Sequence, residues 1–271
     1  MVKSVFRNLL FSLIITILIS CTTSPTFTRK DIEKVLERIC KDEFGISVTA
    51  LRIKDTIWIY APFENLINEN NEFDQEAQDN IRHIFLSLKR TILSMDKPPK
   101  FYAFVASNIK DVGIDIYHIG FVPDIIKFEM QLISQNEFDE RIAYIPFDNP
   151  ASIGDKKGNH IAMDEITMGD FITYLILQKL RKTFYDEKVK EHFEINAIDT
   201  SYSIGKVSVT IDIMIKKYTP LIPNPFEEAK RTAKKFLKIY KEFSSDIVMI
   251  EINDTFNGVK RTYSPKALLE G

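Results

Sequence analysis

The apolar positions of this 271-residue chain change their spacing several times, and each spacing predicts an element. Ile32, Val35, Leu36 and Ile39 share one helical face. Thr28 with Asp31 makes an N-cap-like start, and Gly45 sits where a left-handed cap belongs, so a helix is predicted over about 29–43. Two β-rich runs, 46–53 and 56–61, meet at Lys54-Asp55 and read as a hairpin. Ala77, Ile81, Ile84, Phe85, Leu88, Ile92 and Met95 return to helical spacing, and Pro98-Pro99 ends that helix. Strands are predicted at 101–106 and 112–119, around Asn108. Ile126, Phe128, Met130 and Leu132 alternate with Lys127, Glu129 and Gln131, which is strand period. Ser134-x-x-Glu137 then opens a short helix as a capping box.

The second half repeats the order. Thr167 with Asp170 caps a very apolar helix through Phe184. Strands fit 193–203 and 206–216; in the latter Val207, Val209, Ile211, Ile213 and Ile215 alternate with mostly polar residues. Asn224, Pro225 and Glu227 supply an N-cap, a first-turn proline and an acid at N3. Ala229, Ala233, Phe236, Leu237, Tyr240 and Phe243 form the stripe of that helix, 225–243. Strands at 246–252 and 259–263 close around Asn257-Gly258, a strong hairpin signal.

Both halves therefore read helix, two strands, helix, two strands. The expected fold class is α+β, each half an antiparallel sheet with helices packed on one face. The repeated order leaves an internal duplication open. Residues 28–145 form the first half and 167–271 the second. The segment 146–166, rich in Pro, Gly, Asp and Lys up to His160, reads as a linker or surface loop.

Ahead of these elements lies a basic start with Lys3 and Arg7, then an apolar run from Asn8 to Ser20. The run is shorter than the about 20 residues a membrane span needs. It has the form of a secretory signal peptide over 1–20. The run ends Leu18-Ile19-Ser20-Cys21, which resembles the lipobox of bacterial lipoproteins. That resemblance covers residues 1–21. It implies diacylglycerol on the Cys21 thiol, cleavage before Cys21 and acylation of the new amine, which together give stable anchoring. Residues 21–27 would tether lipid to domain. Thr22 rather than Asp after the cysteine resembles outer-membrane sorting in diderm bacteria. The expected location is the cell envelope, and the expected cofactor is none beyond the covalent lipid.

Loss of Lys3 and Arg7 takes the basic residues from 36 to 34 against 38 acidic, moving the net charge from −2 to −4. That balance excludes a nucleic-acid-binding reading. The two cysteines are Cys21 and Cys40, so lipidation of the first leaves no internal disulfide. Cys40 lies on the first helix's apolar stripe and reads as a small buried hydrophobe.

Catalytic motifs are absent from the sequence: no phosphate loop, paired-cysteine site, His-Glu-x-x-His or nucleophile elbow. The nearest approach to acid–base chemistry is His160 with Asp164 and Glu165; His192-x-Glu194 is weaker. His160 reads more simply as a solvated loop residue. Two surfaces stand out instead. Trp58 and Tyr60, with Tyr102, Phe104 and Tyr117 on neighbouring strands, form a candidate aromatic binding face, unless the chain covers it. Lys230, Arg231, Lys234, Lys235, Lys238 and Lys241 form a candidate basic face, suited to anionic headgroups or an acidic partner. The expected function is a lipid-anchored, non-catalytic envelope protein that binds a protein partner or assists assembly. A hydrolase, or a carrier of a small apolar ligand in a cavity between helices and sheet, is the alternative.

Replacing the thiol tests the anchor. Cys21→Ala should abolish incorporation of labelled fatty acid and leave an unprocessed precursor, both read on one gel.

Overall fold

A computed structural model describes residues 27–68, 72–110, 113–217 and 222–270. The expected signal peptide, Cys21 and all of the tether except Phe27 lie outside the described residues.

The first half opens with α1 (Ile32–Phe44), closed by Gly45 at φ 71, with the amides of Gly45 and Ile46 bonded to the carbonyls of Lys41 and Cys40. β1 (Thr49–Ile53) and β2 (Thr56–Phe63) form the predicted hairpin around Lys54-Asp55. α2 (Gln75–Leu93) starts at Asp74, whose carboxylate accepts the Ala77 amide at 3.1 Å. β3 (Phe101–Asn108) and β4 (Ile114–Phe121) follow, then α3 (Val122–Glu129), α4 (Gln135–Asp139) and β5 (Ile142–Asp148). The strands lie in the order β1-β2-β3-β4-β5.

The second half has α5 (Met168–Phe184), β6 (Phe193–Ser203), β7 (Lys206–Ile215), α6 (Pro225–Ile239), β8 (Met249–Asp254), β9 (Val259–Tyr263) and a short α7 (Pro265–Glu270). Its sheet runs β6-β7-β8-β9. The capping boxes at Ser134 and Thr167 and the Asn224 cap are formed as predicted. The fold is α+β with two similar halves.

Two expectations are corrected. Neither sheet is purely antiparallel: β2 runs parallel to β3, and β7 to β8. Each of these pairs is joined through a long helix, α2 or α6, and such a crossover delivers the chain back in the same direction. Nor do residues 126–132 form a strand. Pro123 sits in the first turn of α3, Asp124 adds a first-turn acid, and Val122, Ile125 and Ile126 give helical spacing. The alternation of four apolar residues coincided with that helix and the turn beyond it.

The helices pack differently in the two halves. α1 and α2 cover one face of the first sheet, burying Ile57, Ile59, Tyr102, Phe104 and Ile116. α5 and α6 cover one face of the second sheet, burying Val207, Val209, Ile211 and Ile213. The other side of α5 lies on the remaining face of the first sheet, so that Trp58, Tyr60, Val105, Ile119 and Phe121 share a core with Phe171, Leu175 and Ile176. The layers run helices, sheet, helices, sheet. The first sheet is internal and apolar on both faces. The second is external, and Ser208, Thr210 and Asp212 face away from its core.

α5 is apolar nearly all round because it lies between two sheets. Phe171 meets Phe101 and Phe121 of the first sheet, with centroids 5.6 and 6.4 Å away. On the other side Tyr202 of β6 lies flat on Gly169, where a Cβ would come within 2.3 Å of the ring.

The segment 146–166 begins inside β5 and then crosses the first sheet as a strap. Ile161 and Ile166 enter the core, Trp58 Nε1 donates to the Asp164 carbonyl at 2.8 Å, and the Ile166 amide donates to Thr56 Oγ1 at 2.9 Å. Trp58 is only 5% exposed. Trp58→Ala should therefore cost about 3–5 kcal/mol, the usual penalty for emptying a buried large aromatic site. A urea-unfolding midpoint checks it; an unchanged midpoint would contradict this packing.

Candidate functional site

The expected aromatic face does not exist as one surface. Side chains alternate along a strand. Ile57 pairs with Tyr102 and Ile59 with Phe104, while Trp58 pairs with Ala103 and Tyr60 with Val105. Tyr102 and Phe104 therefore face α1 and α2, and Trp58, Tyr60 and Tyr117 face the second half. Trp58, Tyr60, Tyr102 and Phe104 are buried and Tyr117 is partly so. The chain's own strap and α5 cover the Trp58 side.

The basic face is also divided. Arg231 pairs with Glu228 at 2.6 Å, Lys235 reaches Glu140 of the first half at 2.6 Å, and Lys230 lies over the Tyr263 ring. Lys234, Lys238 and Lys241 remain without an ion-pair partner among the described residues. Cys40 is buried, and burial pushes its thiol pKa up, as for an inert core residue. His192 and Glu194 do not converge: Glu194 turns to Lys216 at 3.5 Å, and His192 stands 3.6 Å from Glu191.

His160 is not solvated. Its side chain is 5% exposed, and its partners are not Asp164 and Glu165. Nδ1 lies 2.7 Å from Asp155 Oδ2, and Nε2 lies 3.1 Å from Asp115 Oδ2. Ser107 Oγ donates to Asp115 Oδ1, and Asn149 Nδ2 donates to Oδ2 at 2.7 Å. Asp155 also accepts the amides of Lys157, Gly158 and His160 at 2.9, 3.0 and 2.9 Å. The Tyr60 hydroxyl donates to the Asp155 carbonyl. Gly158, at φ 76, lies against the Tyr60 ring, where a Cβ would come within 2.8 Å.

This constellation is a clamp. It ties the strap to β3 and β4 at the end opposite the Lys54-Asp55 turn. Ser107 contacts the Asp115 carboxylate, which in turn meets the His160 ring. The sequence signal for it was Asp115 opposite Ser107 across the β3-β4 hairpin, two of the few polar residues in largely apolar strands.

A second site lies on the other face of the first sheet, between α2 and the α3–α4 excursion. It is a groove of about 610 Å³. Phe85, Tyr102, His118, Phe128, Phe138 and Ile142 are among its lining residues. Phe128 and Phe138 stack at 4.7 Å on the α3–α4 side, and Phe85 meets the rings of Tyr102 and His118 edge-on at 6.0 and 5.4 Å. Leu86 stands at the rim, 40% exposed. Lys89 of α2 and Glu129 of α3, paired at 3.0 Å, also line it. The His118 ring has no hydrogen-bond or ion-pair partner among the described residues. Burial pushes its pKa down to about 4, so it is neutral near pH 7 and offers one donor and one acceptor.

No group of His, Cys, Asp and Glu side chains among the described residues is arranged to hold a metal, and none of their helices is long and apolar enough to cross a membrane. Comparisons with protein families, with curated proteins and with solved structures gave no match.

The clamp predicts acid sensitivity. Burial alone would raise the Asp155 pKa, but the His160 ring and the amides of Lys157 and His160 outweigh it and hold the carboxyl well below its usual range. A depressed carboxylate stabilises the fold above its unfolded pKa, and that contribution fades as pH falls toward the folded value. Asp155→Asn should lose roughly 1.5–3 kcal/mol near neutral pH, as when a buried charged partner is removed. The gap to wild type should narrow below about pH 4. Urea midpoints of both proteins across pH check the sign.

Proposed function

We propose that this protein is a lipid-anchored envelope protein with a non-catalytic binding role, and that it binds through the groove between α2 and α3–α4. The anchor reading rests on Leu18-Ile19-Ser20-Cys21. The binding reading rests on one observation: a groove walled by Phe85, Phe128 and Phe138, with the partly buried His118 ring among its lining.

The groove's size suits a small molecule or a single acyl or aromatic group. Its walls favour an apolar body by burial of about 25 cal/mol per Å². Its neutral imidazole adds one hydrogen bond to a hydroxyl, amide or carboxyl group. The expected occupant is thus an amphipathic small molecule with a single polar group. This is the carrier reading, and the groove favours it over a hydrolase, because the His160–Asp155–Asp115 cluster among the described residues is buried and ties the strap to the sheet.

Titration with an apolar naphthylamine dye tests it. Saturable binding, displaced by a long-chain fatty acid, is the expected result. Phe128→Asp should weaken it by about 2 kcal/mol, the scale of an aromatic anchor, and should also lower the melting temperature, because Phe128 stacks on Phe138. His118→Ala should weaken the fatty acid more than the dye. Dye binding that never saturates, or that ignores Phe128→Asp, would refute the groove as the site.

A further inference from the structure

The turn between β6 and β7 breaks the rules that govern such turns. Ser203 pairs with Lys206, so Ile204-Gly205 is a two-residue loop. Both central residues have positive φ, 49 for Ile204 and 76 for Gly205. A tight turn of this kind favours Asn-Gly, and a β-branched residue there is strained. Ile204 is also 97% exposed. Folding gains nothing from this side chain.

It is not alone. Val248, whose amide donates to the Gly205 carbonyl at 2.8 Å, is 62% exposed, and Met249 and Phe243 are also exposed. The matching turn of the first half, Lys54-Asp55, lies at the same end. Lys54 reaches Glu165 at 2.6 Å, beside the Thr167 cap of α5, and Tyr202 packs on Gly169 in the first turn of that helix. Lys54 also has positive φ and a well exposed side chain.

The described chain begins at this end. The Phe27 amide donates to the Ser94 carbonyl at 3.2 Å, and Arg29 reaches the Lys54 carbonyl at 2.8 Å and the Asp55 carboxylate. Cys21 is six residues before Phe27. Six residues span at most about 20 Å even fully extended. A lipid on Cys21 would therefore keep this end within about 20 Å of the bilayer.

We propose that the end of the molecule bearing the Ile204-Gly205 and Lys54-Asp55 turns docks on the bilayer that holds its lipid anchor, with Ile204 and Val248 seated in the headgroup boundary. The inference rests on the anchor reading. The occupant is the lipid surface: the apolar side chains enter the boundary region, beside Lys54 and Lys206, which pair with Glu165 and Glu251 at 2.6 and 3.6 Å. The strain at Ile204 is then the cost of placing an apolar tip where a polar residue would serve the turn better.

Site-directed fluorescence on the full lipidated chain tests it, in vesicles of phosphatidylcholine and phosphatidylglycerol. Ile204→Cys carries an environment-sensitive label at the tip, and Asn257→Cys carries it at the opposite end. Cys40 is buried and Cys21 is blocked by lipid. Mass spectrometry of the same sample records the lipid on Cys21. The expected result is blue-shifted emission at 204, quenched by a spin-labelled lipid at least about twofold more than at 257, as for a site a few ångströms into the boundary. Equal, weak quenching at both positions with Cys21 lipidated would overturn the docking and leave the anchor standing. An unlipidated Cys21 in the processed protein would overturn the anchor, and the docking with it.

Discussion

The structure depends on one burial event: α5 sits between two sheets. A helix on a sheet normally needs one apolar stripe, but α5 needs nearly its whole circumference. Phe171, Ile172, Leu175, Ile176 and Leu180 are all fully or almost fully buried. Burying a side chain of this size is worth about 1.5–3 kcal/mol, so the central layer is where the halves are held together. The same event explains the contrast between the sheets. The first has helices on both faces and carries apolar residues on both. The second has helices on one face, and β7 alternates cleanly.

One buried polar contact joins the halves, and a second, within the first half, supports it. The Tyr240 hydroxyl of the second half donates to Asp124 of α3 at 2.7 Å, and Arg141 reaches the same carboxylate at 3.0 Å. Asp124 is buried, so it is stable there only with such partners. The His160 clamp does the equivalent for the strap. Both are buried clusters whose carboxylates have several hydrogen-bond partners, which rigidify the segments that carry them.

Much of this was legible in the residues. Caps carried the most reliable information, because Gly45, Ser134-x-x-Glu137, Thr167 and Asn224 each satisfy end groups by local geometry alone. Element order was legible for the same reason. What depends on distant contacts was not. Whether two strands run parallel is decided by a crossover, not by either strand's own pattern. That Trp58 and Tyr102 point to opposite faces is decided by a register across β2 and β3. His160 sits in a polar loop, and only the fold brings it to Asp115, 45 residues away in sequence. The groove was invisible because its α3 wall was read as a strand, and an alternating face would not have placed Phe128 against Phe138.

The two halves also differ where their order is interrupted. In the first, the chain leaves β4 through α3 and α4 before returning as β5 along the same sheet. In the second, it leaves β9 directly into α7. The excursion supplies one wall of the groove, the other being α2, and it supplies the carboxylate that Tyr240 binds. Its own cover is thin: α4 has five residues and none of them is buried. A wall of that kind packs by a few aromatic contacts, chiefly Phe128 on Phe138, and so opens at lower cost than α5 could. The rigid central layer and the lightly held wall are therefore complementary. One fixes the sheet floor on which Tyr102 and His118 sit, and the other rests on that floor through a small set of aromatic contacts.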